Sequence, residues 1–205
     1  MKLLKRSWDE VSIDDYHRIR DILDDEALNE TERGMAILSV LCDVDEEAVW
    51  ELPVEEARAL FKQVEWIGNF SFNKGWSSKV YMVGNVKCDV QVNVSKMSVA
   101  QYIDFQTYFK EDMNDIARIL SVILVPQGKK YGEGYDMEEF IKLISKYVPI
   151  TEANAMCFFF IMKSVDTIRT MRIYSAWMEK VAETEIAKSR RKREKRSTSS
   201  SVGSL

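Results

Sequence analysis

Apolar and polar residues alternate strictly through one stretch of the chain and recur at helical spacing through nearly all the rest. From Val86 onward, Val86, Cys88, Val90, Val92 and Val94 are apolar, with Lys87, Asp89, Gln91 and Asn93 between them. A period of two is the mark of a strand with one buried face. Gly84-Asn85 supplies a two-residue turn, since both residues tolerate the positive φ of tight hairpins. The pattern therefore predicts an antiparallel hairpin over residues 79–94, with Val83 opposite Val86 and Tyr81 opposite Cys88. Two strands alone are marginal in water. The apolar face must pack on helices, so the hairpin reads as a joint between them, or as an edge that a partner strand could extend.

The helical pattern starts at Ser12, which with Asp15 three residues on has the form of a capping box. Tyr16, Ile19, Ile22 and Leu23 follow as an apolar stripe. A second helix starts near Asn29 or Thr31, carries Met35, Leu38, Val40 and Leu41, and ends near Cys42. A short third helix over DVDEEAVWEL is capped by Asp43 or Asp45, with acids favoured in its first turn. Pro53 suits the start of a fourth, running to about Ile67 and burying Val54, Ala57, Leu60, Phe61 and Val64. Residues 68–78 break the pattern with glycines and turn formers. Beyond the hairpin, Ser98 with Gln101 has capping-box form, and Val99, Tyr102, Ile103 and Phe109 line one helix face. Asp112 or Asn114 opens a helix through Ile116, Ile119, Leu120 and Ile123 to Val125, where Pro126 stops it. A glycine-rich loop, PQGKKYGEGY, leads to Asp136 and Glu139, which start a helix reaching about Val148. Thr151 opens the last one.

Parts of the two halves look alike. SIDDY (12–16) pairs with SVAQY (98–102), AILSVL (36–41) with RILSVI (118–123), and VEEARALF (54–61) with MEEFIKLI (137–144), all at near-constant offset. Residues 12–67 and 98–150 are thus expected to be related helical modules flanking the hairpin. The last helix meets no breaker from Glu152 to about Lys195, which at 1.5 Å per residue is a rod of roughly 60 Å. Its first part, AMCFFFIM (155–162), is apolar all round and reads as core. Further on, Met171, Tyr174, Met178 and Val181 form a narrow stripe of the kind one helix shows a partner helix. The expected fold is mainly α: a bundle of two helical modules joined by one small hairpin, over residues 7–187, with the long helix over 151–187.

Charge adds a boundary. From Lys188 to Arg196, seven basic residues (Lys188, Arg190, Arg191, Lys192, Arg193, Lys195 and Arg196) stand against one acid. That local +6 leaves the remainder at −10 of the net −4. Residues 188–205 therefore read as a separate basic tail ending in a low-complexity, disordered STSSSVGSL. Such a tail can neutralise phosphates, dock on an acidic protein surface, act as a nuclear signal, or merely solubilise. No aromatic is interleaved, so stacking on bases is not expected.

Chemistry is sparse. Cys42, Cys88 and Cys157 are far apart and in apolar runs, which indicates buried thiols in a reducing compartment. With His17 as the lone histidine and no CxxC, neither a zinc site nor another cofactor is expected. His17 sits on a polar face and reads as exposed. GKKYGEG lacks the GK[ST] ending of a phosphate loop and reads as an ordinary loop. Asp43, Asp45, Glu46 and Glu47 lack calcium-loop spacing and read as a helix start. Trp8, Trp50, Trp66, Trp76 and Trp177 read as core or interface anchors. MKLLKRSWDE is too quickly charged for a signal peptide, and no apolar run approaches the roughly 20 residues that span a bilayer. A soluble, cytosolic-type protein without enzymatic activity is expected.

VGNVKCDVQVNVSKMSVAQYIDFQ (83–106) and LVPQGKKYGEGYD (124–136) resemble a group of tailed-bacteriophage proteins. These are small, mainly helical products of the virion-morphogenesis region, tail-assembly-chaperone-like. The resemblance covers residues 79–165. It implies a hairpin leading into a helix carrying Gln101–Asp104, then a helix ending at the Pro126–Tyr131 motif, with no catalytic residues to carry over. It further implies a place in the host cytoplasm during assembly, or in the virion, and other phage structural or assembly proteins as partners. The basic tail departs from that pattern. The expectation is an assembly protein that binds virion proteins through its acidic helical body and its last helix. The alternatives are a structural virion subunit (a head–tail connector, ring or cargo protein, self-associating) and an adaptor contacting DNA through the tail.

Overall fold

Side-chain caps mark most of the helix starts, because the first backbone N–H groups of a helix lack intrahelical partners. In the computed structural model, which describes residues 5–69, 75–91, 93–112 and 115–163, Ser12 accepts from the backbone N–H of Asp15 at the start of α1 (Ile13–Asp24). Asn29 and Glu32 form a reciprocal capping box at α2 (Glu30–Cys42). α3 (Glu46–Trp50) and α4 (Val54–Gln63) follow without side-chain caps, Pro53 preceding the latter. α4 is short of Ile67, its end passing into a 3-10 turn over Glu65–Gly68. After the hairpin come α5 (Val99–Glu111), capped by Ser98, and α6 (Ile116–Ile123), capped by Asp115 rather than by Asp112 or Asn114. α7 (Met137–Tyr147) is capped by Asp136. The chain is helical again over 150–163, α8, one residue ahead of Thr151. Two units divide the chain, Met1–Met162 and Lys163–Leu205, and the elements named above belong to the first, apart from the last residue of α8.

The protein is mainly helical with one small antiparallel sheet, and the sheet departs from expectation in two ways. β1 (Val80–Val83) and β2 (Val86–Val90) pair as anticipated, with Val83 opposite Val86 and Tyr81 opposite Cys88. Of the two turn residues only Gly84 takes positive φ, at 56°. The alternation beyond Val90 does not continue the strand. Asn93 instead accepts from the N–H of Ser95 and caps a 3-10 turn over Val94–Lys96. A third strand, β3 (Leu124–Pro126), lies against β2, with Cys88 opposite Pro126 and Val90 opposite Leu124. The helical pattern predicts these residues as the end of the preceding helix. Pro126 forbids that: it disfavours the helical conformation at Val125 and offers no N–H to the carbonyl of Val122.

The core runs from Trp8 to Phe160 and centres on α6, where Leu120, Val122 and Ile123 are fully buried beside Ile144 and Phe160. The two ends of the unit are stitched together. The N–H of Ile13 donates to the carbonyl of Val148 and that of Ile150 to Val11, at 3.1 and 2.8 Å. All four side chains are fully buried. The similar sequence segments take matching local structure: Ser39 and Ser121, each buried mid-helix, both donate to the carbonyl three residues back at 2.7 Å.

Several apolar positions face outward against expectation. Leu23 is 44 % exposed and Val54 69 %, since α1 turns Ile13 and Ile19 inward and α4 turns Ala57 and Leu60 inward. On α5 the buried residues are Gln101 and Phe105, while Val99 and Ile103 are exposed. α8 is not apolar core all round: Phe158 and Met162 are exposed, and Phe160, Met156 and Cys157 are buried.

Close packing of α2 on α4 depends on Gly34, where a Cβ would sit 2.6 Å from Cε1 of Phe61. Gly34→Val is expected to cost about 1 kcal/mol, at the low end for overpacking because Phe61 is half-buried and can shift. Chemical denaturation should show that cost reduced in the Phe61→Ala background; an equal cost in both backgrounds would rule out this contact as its source. α2 ends with Asp43 in the left-handed region, φ 54°, a position that favours glycine. Asp43→Gly is expected to raise stability by about 0.5–1 kcal/mol in urea melts.

Candidate functional site

α3 and α4 form the most distinctive surface among the described residues. Both helices pack on α2, burying Val49, Ala57 and Leu60. Their outer faces carry Trp50, 47 % exposed, and Val54, 69 % exposed. Along the chain around these two stand Asp43, Asp45, Glu46, Glu47, Glu51, Glu55 and Glu56, with no basic residue between Arg33 and Arg58; of these, Asp43 lines the cleft beside α1 together with Lys5, Arg18 and Lys142. Acids in the first turns of both helices complement the helix dipoles. That accounts for Glu46, Glu47, Glu55 and Glu56, and leaves Asp43, Asp45 and Glu51 outside it. Among the described residues, Asp43, Asp45, Glu47, Glu51 and Glu55 have no ion-pair partner. Glu46 accepts from the indole N–H of Trp50 at 3.1 Å, which fixes the ring on the surface. The acids were legible as a helix start, but the exposed tryptophan among them was not. The usable signal was the uninterrupted acidic run with Trp50 and Val54 four residues apart.

Two shallow clefts flank the body. One, of about 520 Å³, lies beside the start of α1 and is lined by Lys5, Asp15, Arg18, Lys142 and Lys146 among others. Its buried charge is already paired: Lys5 meets Asp15 at 3.0 Å and donates to the carbonyl of Val40 at 2.9 Å. The other, of about 550 Å³, lies between the start of α5 and the glycine loop, with Lys96, Lys129 and Lys130 on its rim. Gly128, Gly132 and Gly134 all take positive φ there. The loop is held by its own tyrosines, Tyr131 donating to Asp104 at 2.8 Å and Tyr135 accepting from the N–H of Gly132. Burial and the Asp104 carboxylate raise the pKa of Tyr131. Lys130 pairs with Glu133 at 3.8 Å.

His17 is half-buried, with its ring edge-on to Tyr16 at 5.7 Å, rather than exposed. Trp8 is buried and meets Trp66 edge-on at 5.2 Å, an anchor of the core as expected. No group of three or more His, Cys, Asp or Glu able to hold a metal occurs among the described residues. Among them, no helix is long and apolar enough to cross a membrane.

All three thiols are free and buried. Burial pushes Cys88 up to about 11 and Cys157 up to about 12, and raises Cys42 as well. The folded protein thus holds these protons above the ordinary thiol pKa while the unfolded chain releases them. Their contribution to stability is complete below about pH 9 and is lost as pH rises from there toward 11–12. Equilibrium melts from pH 8 to pH 11 should show that decline. A thiol reagent at pH 8 should react only on unfolding; prompt labelling of the native chain would contradict the burial.

The expected partner stripe, Met171, Tyr174, Met178 and Val181, and the basic residues Lys188, Arg190, Arg191, Lys192, Arg193, Lys195 and Arg196 lie outside the described residues, as does Trp177. No family model, curated protein or solved structure matches the chain.

Proposed function

We propose that this protein is a non-enzymatic assembly factor of a tailed bacteriophage, tail-assembly-chaperone-like, that binds other virion proteins. The observation that supports this best is the α3–α4 face, which presents Trp50 and Val54 among acids of which Asp45, Glu47, Glu51 and Glu55 have no ion-pair partner among the described residues. Exposed apolar side chains with a charged surround are the makings of a protein-binding surface. The two clefts carry self-neutralised ion pairs and loop contacts, which suits binding better than a reaction. The test is deletion of the coding sequence from the phage, with mass spectrometry of purified wild-type virions. The expected result is loss of finished tails on deletion and absence of the protein from the particle. Stoichiometric copies in the virion would replace this reading by that of a structural subunit. Normal particles after deletion would overturn both.

A further inference from the structure

We propose that the α3–α4 face receives the basic segment Lys188–Arg196 of a second copy of this chain, so that copies join head to tail. The proposal rests on the assembly reading above and names a surface and an occupant for it. Between Arg33 and Arg58 stand seven acids, the most between any two consecutive basic residues of the sequence. The segment holds seven basic residues and one acid within nine positions. The two stretches are opposite in charge, and complementary charge speeds encounter and sets which surfaces meet.

The apolar centre of the face fits the same occupant. The segment has no aliphatic or aromatic side chain of its own, yet long arginine stems cover apolar surface while their heads stay with carboxylates. A guanidinium also stacks on an indole better than on any other ring. Trp50 is held for this by its hydrogen bond to Glu46. Four arginines in the segment and the carboxylates around Trp50 allow forked, charge-assisted pairs. Donor and acceptor patches differ, so the contact is heterologous and each copy offers both halves. Repetition closes a ring or extends a filament.

The experiment is sedimentation equilibrium on the full chain and two variants, one ending at Ala187 and one carrying E46Q, E47Q and E55Q. Circular dichroism checks that both variants fold. At about 50 mM salt the full chain should exceed its 23.8 kDa monomer mass increasingly with concentration. The association constant should fall about tenfold or more by about 500 mM salt as the charges are screened. Each variant alone should stay monomeric. Mixed in equal amounts they should form a one-to-one pair, because one retains the face and the other the segment. A full chain that stays monomeric at low salt would overturn the proposal, whether its segment docks on its own body or elsewhere. So would association by either variant alone, or a mixture that does not pair. Loss of tails on gene deletion together with a monomeric protein would overturn head-to-tail docking and leave the assembly reading standing.

Discussion

Phe160→Ala is expected to lower the unfolding free energy by about 3–5 kcal/mol, the usual cost of emptying a buried aromatic site. Phe160 is fully buried on α8, and its ring meets that of Phe105 on α5 edge-on at 4.8 Å. Phe105 in turn stacks with Phe109 at 5.7 Å. The truncation therefore removes the ring's transfer free energy and its quadrupole contacts, and leaves a cavity that helices on either side cannot close. Phe158, two residues earlier on the same helix, is 67 % exposed. Phe158→Ala should change stability by no more than about 0.5 kcal/mol, as surface substitutions usually do. Guanidinium denaturation of the two variants gives the comparison. Similar costs at both positions would mean that α8 presents a different face to the core.

Gln101→Leu is expected to cost about 1–3 kcal/mol, although it places an apolar side chain in an apolar setting. Gln101 is 4 % exposed, and its Nε2 donates to the carbonyl of Val122 at 2.6 Å. That carbonyl would ordinarily be bonded by the N–H four residues on, which at Pro126 does not exist. Gln101 supplies the missing donor across from α5, so leucine would leave a buried carbonyl unsatisfied. Gln101→Glu keeps the shape but loses the donor at neutral pH, and should cost at least as much. A leucine variant as stable as the parent would show that water reaches Val122. Gln101 and Phe105, four residues apart, lie on the same buried face of α5, which leaves Val99 and Ile103 outside. Gln101 has the form of a capping-box partner, and its backbone N–H does bond Ser98. Its side chain goes to α6 instead.

What could be read along the chain was local. Ser12, Asn29, Ser98 and Asp136 cap helices where their spacing placed them. Gly84-Asn85 turns the hairpin in the expected register, and the three cysteines are buried thiols. These features depend on groups within about four positions of one another, which sequence displays directly. The acids between Arg33 and Arg58 were equally visible, but their place beside an exposed Trp50 was not.

What only the tertiary structure decided was non-local. Leu124–Pro126 became a strand because Pro126 ends α6 and β2 has an open edge 34 positions earlier to receive it. Val99 and Val54 are apolar at helical spacing yet exposed, because a stripe specifies a period and not which neighbour covers it. The pairing of Val11–Ile13 with Val148–Ile150 closes the unit across more than a hundred residues. Sequence alone thus determined where most helices begin and which period they follow. The fold determined their rotation, since burial is settled by what packs against a face.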